Sequence, residues 1–192
     1  IEGDFAAAFR VGLEGRFSHQ PNYLVRLRNH WHEWRFSNRS FAQAKTNARF
    51  HYGLGYEFYR QWLDRHLMMY TCAYWKEGTA SLEEAQANKI DHVCRKIRLA
   101  AGETVIDIGT GFGGFLFRAL DRYAAVPTGT NTTTEQVEWL RGELARRGLQ
   151  DKITLIEGDF RQVHAQFDKV VSIGVLEHAG RDQLAEVIRA HA

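Results

Sequence analysis

The hydrophobic pattern changes character near residue 102. Before that point apolar positions recur with helical spacing; after it, short apolar runs alternate with amphipathic stretches. Tyr23, Leu24, Leu27, Trp31 and Trp34 keep one face of a weak helical repeat, so residues 5–50 read as helices and loops. His51 to Tyr59 (HYGLGYEFY) sets two glycines and four aromatics in nine residues, a loop leading into a helix near residues 58–63. Ser81-Leu82-Glu83-Glu84 is a capping box, in which the serine accepts from an early N–H and Glu84 reaches back. Behind it Leu82, Ala85, Ile90, Val93 and Ile97 share one face of a helix of about 17 residues.

From residue 102 the pattern predicts strands over 104–108, 125–130, 153–157 and 169–174. Helices are predicted over 115–123, 134–147 (stopped by Gly148) and 181–191. Strand-helix alternation with short connections implies a parallel sheet with right-handed crossovers. The predicted fold class is therefore α/β, doubly wound and Rossmann-like. Residues 1–50 form a basic helical appendage and residues 51–192 the sheet domain.

A chain of 192 residues suits one domain plus such an appendage. The net charge of +2 is uneven: +4 over residues 1–50, +1 over 51–100 and −3 over 101–192. A basic, aromatic-rich front end fits either an anionic partner such as a membrane surface or a solvated helical face. Cys72 and Cys94 make no CxxC, so a reducing cytoplasm is the expected compartment. No apolar run approaches the roughly 18 residues of a membrane span, and Ile1-Glu2-Gly3-Asp4 does not begin a signal peptide. Nine histidines without an HExxH give no reason to expect a metal site.

The chemistry concentrates at Val105-Ile106-Asp107-Ile108-Gly109-Thr110-Gly111-Phe112-Gly113-Gly114. A buried strand ends in a carboxylate, and a glycine turn then lets a ligand approach the backbone before a helix begins. Dinucleotide sites carry an acidic residue about 20 positions further on, for the ribose hydroxyls. This chain has Gly129-Thr130-Asn131-Thr132 there, and its acid precedes the glycines instead. A carboxylate in that place suits an amine-bearing or cationic ligand better than a pyrophosphate. A P-loop is excluded by the lack of Gly-Lys-Ser/Thr. The D-x-G-x-G-x-G pattern resembles the first motif of class I S-adenosylmethionine (SAM) methyltransferases.

Further landmarks follow in order: His51-Tyr52, Phe58-Tyr59, Tyr70-Thr71-Cys72-Ala73-Tyr74-Trp75, Ser81-Leu82-Glu83-Glu84-Ala85-Gln86, the glycine motif, and Val171-Ser172-Ile173-Gly174-Val175-Leu176-Glu177-His178. Together, from about Ala44 onward, they resemble the cyclopropane-fatty-acyl-phospholipid synthase family, including the mycolic acid cyclopropane synthases. The resemblance implies that Tyr70 and Thr71 close over SAM, with Asp107, Gly109, Gly111 and Gly113 around its methionyl part. It places Asn131, Thr132 and Gln136 near the ribose and adenine, Asp159 near the adenine amine, and His51 near the cofactor lid. Cys72, Glu177 and His178 would help to hold a bicarbonate ion.

The implied reaction is SAM-dependent C-methylation of the double bond in unsaturated phospholipid acyl chains. Loss of a proton from the added methyl to the bicarbonate then closes a cyclopropane ring. Methyl-branched products, N-methylation of a small amine, and a non-catalytic SAM-binding domain stay open beside it. The implied partners are phospholipid acyl chains at the inner membrane face and a possible second copy in a homodimer, without nucleic acid. Thr110 stands where the family usually has Cys, and Gly53 and Tyr56 replace commoner polar residues. Only four strands are visible where the family resembles a seven-stranded sheet. The chain is thus expected to be part of a longer protein whose remaining residues complete the site.

Overall fold

The structure is a computed structural model describing residues 10, 22–38, 40–178 and 184–190. It divides into two compact units between Ser37 and Asn38. In the first, helix α1 spans Tyr23–Phe36, started by Asn22, whose side chain accepts from the Val25 N–H. None of its residues is buried, and Tyr23, Leu24, Trp31 and Trp34 are all more than half exposed.

The second unit opens with α2 (Phe41–Tyr52), capped by Ser40 and closed at Gly53. A single turn, α3 (Tyr56–Tyr59), follows Gly55, which has φ 75°. The helix expected over 58–63 therefore starts earlier and stops at Tyr59. After it the N–H groups of Gln61 and Trp62 turn back to the carbonyls three residues earlier, and the Asp64 carboxylate then accepts from Leu67, Met68 and Met69, bending the chain into a loop. Helix α4 runs Leu82–Lys96 with Ser81 accepting from the Glu84 N–H. Glu84 reaches back to the N–H of Ala80, one residue beyond the serine. The buried face of α4 holds Ala85, Ile90 and Cys94, and also Gln86 and Lys89.

The sheet comprises β1 (Thr104–Ile108), β2 (Val126–Asn131), β3 (Thr154–Glu157) and β4 (Lys169–Ser172), parallel throughout and ordered β3-β2-β1-β4. Helices α5 (Gly114–Tyr123), α6 (Thr134–Arg147) and α7 (Leu184–Ala190) follow β1, β2 and β4. Asp168 sets the register of the β1 and β4 starts by accepting from both the N–H and the hydroxyl of Thr104 at 2.8 Å. Expected and observed strand bounds differ by a residue or two. β4 ends at Ser172 because Gly174 leaves the extended region at φ 73°. Gly148 stops α6 in the left-handed region as its position foretold.

Ile90, Val105, Phe115, Leu116 and Leu140 form the centre of the core, each 1% exposed or less. The chain steps outward from β1 to β2 and β3, then returns to place β4 on the other side of β1. That reversal opens a crevice at the C-terminal end of β1, where ligands of open α/β sheets bind. Among the described residues no helix is long and apolar enough to cross a membrane.

Leu140 is fully buried, and a Cβ built on Gly113 would meet its Cδ1 at 2.7 Å, so Leu140 supports the turn after β1 from below. Leu140→Ala should destabilise the protein by about 2–5 kcal/mol, the range for a buried leucine truncation, measured by urea unfolding.

Candidate active site

β1 delivers Asp107 to the crevice between Gly129 of β2 and Val171 of β4. The turn that follows places Gly109, Gly111 and Gly113 at φ 74°, 57° and 83°, a region L side chains rarely adopt. The outer two are packed: a Cβ would meet Val175 Cγ2 at 2.5 Å at Gly109 and Leu140 at Gly113. At Gly111 a Cβ would have nothing within 4 Å, so this glycine presents bare backbone to open space. Gly129 permits the turn to cross β2, since its Cβ would lie 2.9 Å from Thr110 Cγ2. Thr110 completes the fit by donating its N–H to the Thr130 carbonyl.

Asn131 and Gln136 are buried and spend their amides on one another and on the turn. Asn131 Nδ2 donates to the Gly111 carbonyl at 3.2 Å and to Gln136 Oε1 at 3.0 Å, and its Oδ1 accepts from the Thr133 N–H. Thr132 lies between them at the end of β2, half-buried. Asp159 is also buried, and Arg161 binds both of its oxygens at 2.8 and 2.7 Å. The same guanidinium donates to the Asn38 carbonyl and lies 4.8 Å from the Phe41 ring, tying this edge to the start of α2.

A covering segment, residues 64–72, crosses over the start of α5. A Cβ on Gly114 would collide with the Leu67 carbonyl oxygen, so only glycine admits the crossing. From α4, Gln86 Nε2 donates to the Met69 and Thr71 carbonyls at 3.2 and 2.9 Å, and Lys89 Nζ donates to Thr71 Oγ1 at 2.5 Å. Burial pushes the Asp107 carboxyl up to about 7, opposed in part by the Thr110 side chain and the Lys89 charge. Burial also pulls the Lys89 ammonium down to about 8, opposed by Asp64, Cys72 and Asp107.

The segment after β4 forms the other wall. Leu176–His178 make one 3-10 turn, and Tyr52 of α2 meets His178 through an OH···Nε2 hydrogen bond of 2.7 Å. Desolvation raises the Tyr52 phenol above its ordinary value, with Tyr70 and Glu177 adding to the effect. Thr71 abuts this wall, for a Cβ on Gly174 would lie 2.5 Å from Thr71 Cγ2 and 3.4 Å from Glu177 Oε1. The backbone of His51 accepts from Tyr59 OH, and its ring lies 6.5 Å from that of His178. The structure thus brings together Tyr70, Thr71, Glu177, His178 and His51. Cys72 is exposed, with Lys89 within electrostatic reach.

Sequence reasoning assigned no role to Tyr52, Asp64, Gln86, Lys89 or Arg161. For Gln86 and Lys89 a signal existed: two polar residues three apart on a helix face otherwise made of Ala85, Ile90 and Cys94. The buried hydroxyls of Ser172 and Thr110 meet no partner at hydrogen-bond geometry, although Thr110 lies near enough to Asp107 to favour its charge. Bare backbone at Gly111, two unpartnered hydroxyls and a buried carboxylate fit a ligand that carries an amine and other polar groups. Among the described residues no group of three or more His, Cys, Asp or Glu could hold a metal.

The family model for mycolic acid cyclopropane synthetase matches residues 39–191. A probable fatty acid methyltransferase of Pseudomonas putida is 37% identical over 190 residues, which cover 96% of this chain and 46% of that protein. The cyclopropane-fatty-acyl-phospholipid synthase of Escherichia coli K12 is 32% identical over 176 residues, covering 92% and 44%. The solved structure of mycolic acid cyclopropane synthase CmaA1 complexed with SAH and CTAB is similar at a TM-score of 0.72 and 28% identity. That match covers 77% of this chain and 51% of the other. The chain spans about half the length of the curated relatives it matches.

A carboxyl raised from 3.8 to about 7 holds its proton in the folded state where the unfolded chain has lost it. Stability contributed at Asp107 must therefore fall as pH rises between about 4 and 7. Asp107→Asn should remove this slope and make the ligand-free protein more stable than wild type at pH 7, as read from urea midpoints across that window. An unchanged slope would show that Asp107 titrates normally.

Proposed function

The chain belongs to the mycolic acid cyclopropane synthetase family, and on that premise we propose that the protein is a SAM-dependent C-methyltransferase. It adds a methylene across the double bond of unsaturated fatty acyl chains of phospholipids. The observation that carries this reading is the contact of the glycine turn with the wall after β4, since Gly109 leaves no room for a Cβ beside Val175. A cofactor on the turn and a proton-handling group at Glu177 and His178 would then share one crevice.

SAM, when bound, supplies a methyl group on a sulfonium, the strong electrophile that a weakly nucleophilic alkene requires. Gly111 offers it bare backbone, Asp107 a carboxylate for its amine, and Tyr70, 47% exposed, would close over it with Thr71. Gly109 and Gly113 shape the turn, Asn131 holds the Gly111 carbonyl, Gln136 orients Asn131 by accepting from its amide, and Thr132 would flank the ribose. An adenine amine at Asp159 would share a carboxylate that Arg161 already binds on both oxygens.

Ring closure also needs a proton taken from the transferred carbon. Glu177, His178 and the backbone at Cys72 are proposed to hold a small oxyanion, bicarbonate, as its acceptor. Two anions side by side repel, so the site needs a donor, a role proposed for the hydrogen-bonded pair of Tyr52 and His178.

The experiment is incubation of the full-length protein with labelled SAM and unsaturated phospholipid vesicles, followed by lipid mass analysis for the gain of one methylene. Glu177→Gln is expected to keep SAM affinity within a few fold and to lose on the order of 10²-fold in turnover or more. Gly111→Val should lose SAM binding itself. A Glu177 variant that cyclopropanates at near wild-type rate would sink the oxyanion site.

We extend the reading to α1. Leu24, Leu27, Trp31 and Trp34 are exposed on one face, and Arg26, Arg28 and Arg35 on the same helix meet a single acid, Glu33. The excess of arginines beside exposed aromatics suits electrostatic attachment to an anionic bilayer. Co-sedimentation with anionic vesicles should exceed that with neutral ones and fall as salt rises. Equal binding at low and high salt would leave the arginines as ordinary surface charge.

A further inference from the structure

Lys89 has no part in the reading given so far, yet it is the most confined cation near the crevice. It projects from the inner face of α4, is 8% exposed, and donates to Thr71 Oγ1. The charged and titratable groups facing it come from two directions. Asp64 and Cys72 belong to the covering segment, and Asp107 stands at the end of β1. The neighbours of Asp107 across the sheet, Gly129 and Val171, carry no charge. Glu177 lies just beyond Thr71, on the far side of Gly174. One ammonium thus touches the cover and is the cation that acts on the buried carboxylate beneath it.

We propose that Lys89 is a positioning residue of the cofactor pocket, pinning Thr71 of the cover from the inner face of α4 and setting a buried positive charge beside the crevice. The inference rests on the reading of the crevice as a SAM site. Hydrophobic burial alone would not place a lysine here, because an aliphatic residue on this face would pack better and cost no desolvation. The lysine's charge acts on two carboxylates, Asp64 of the cover first and Asp107 at the end of β1 after it, so it links the cover to the strand. Gln86, one helical turn earlier, already fixes the Met69 and Thr71 carbonyls, so Lys89 is not needed merely to hold the backbone of the cover.

Without the lysine, Asp107 would keep its proton to higher pH, because the remaining influence on it is dominated by burial. Ligand binding that requires the carboxylate would then weaken on the acid side at a higher pH than in wild type.

The test is calorimetric binding of S-adenosylhomocysteine to the full-length protein from pH 5.5 to 9 (roughly one unit beyond each group's titration), with unfolding curves of each ligand-free variant alongside. Wild-type affinity should fall below about pH 7. Lys89→Met and, as a second neutral variant, Lys89→Gln should move that fall upward by about one pH unit, which costs about fivefold in affinity at pH 7. Lys89→Arg should keep the wild-type profile, and Thr71→Val should weaken binding without moving it. A purely structural lysine would change the unfolding curves and leave the pH profile in place. Either neutral variant binding with wild-type affinity and profile overturns the proposal. If wild type binds no S-adenosylhomocysteine at any pH, the SAM reading itself fails and the role of Lys89 falls with it.

Discussion

Two backbones cross at Gly114 with no room for a side chain between them, and the architecture of the crevice depends on that crossing. The Leu67 carbonyl occupies the position a Cβ would take. A chain can pass so close only if its own polar groups are satisfied elsewhere, since buried N–H and C=O groups without partners are costly. Asp64 meets this requirement by accepting three successive N–H groups, and Gln86 by donating to the two carbonyls that follow. The cover is thus tied to α4 and is not a free loop, and Thr71 packs against the wall after β4 because of it.

Polar burial around β1 carries the cost of preparing a site in advance. Asp107 and Lys89 are both shifted against their charged forms, and Ser172 and Thr110 keep buried hydroxyls without good partners. A core built for stability alone would replace them with apolar residues. The ion pairs around this edge of the crevice differ in weight. Arg49 with Glu135 and Lys45 with Glu157 have cationic partners more than half exposed and contribute little. Arg161 with Asp159 is 9% and 7% exposed, and removing either would strand a buried charge.

Much of this was legible in the chain. The strand-turn-helix around Asp107 and the glycines, the Ser81 cap and the Gly148 stop are local signals, and local sterics and hydrogen bonding enforce them wherever the sequence occurs. The short helix lies at Tyr56–Tyr59 and not over 58–63 because the chain after it passes into tight turns, which aromatic spacing does not encode. Asn131, Gln136 and Asp159 were matched to a ligand by motif. Their hydrogen bonds to Gly111 and Arg161 could be found only once the chain had folded.

By itself, then, the sequence determined the α/β alternation, the parallel sheet and the turn that receives a ligand. Each follows from periodicity and from glycines at φ values that other residues avoid. The tertiary structure alone decided which polar side chains would face one another. Tyr52 and His178 lie 126 residues apart, and Lys89 of α4 meets Thr71 of the cover within electrostatic reach of Asp107. Such meetings depend on the crossing of the cover over α5 and on the reversal of strand order at β1, long-range geometry that no local pattern encodes.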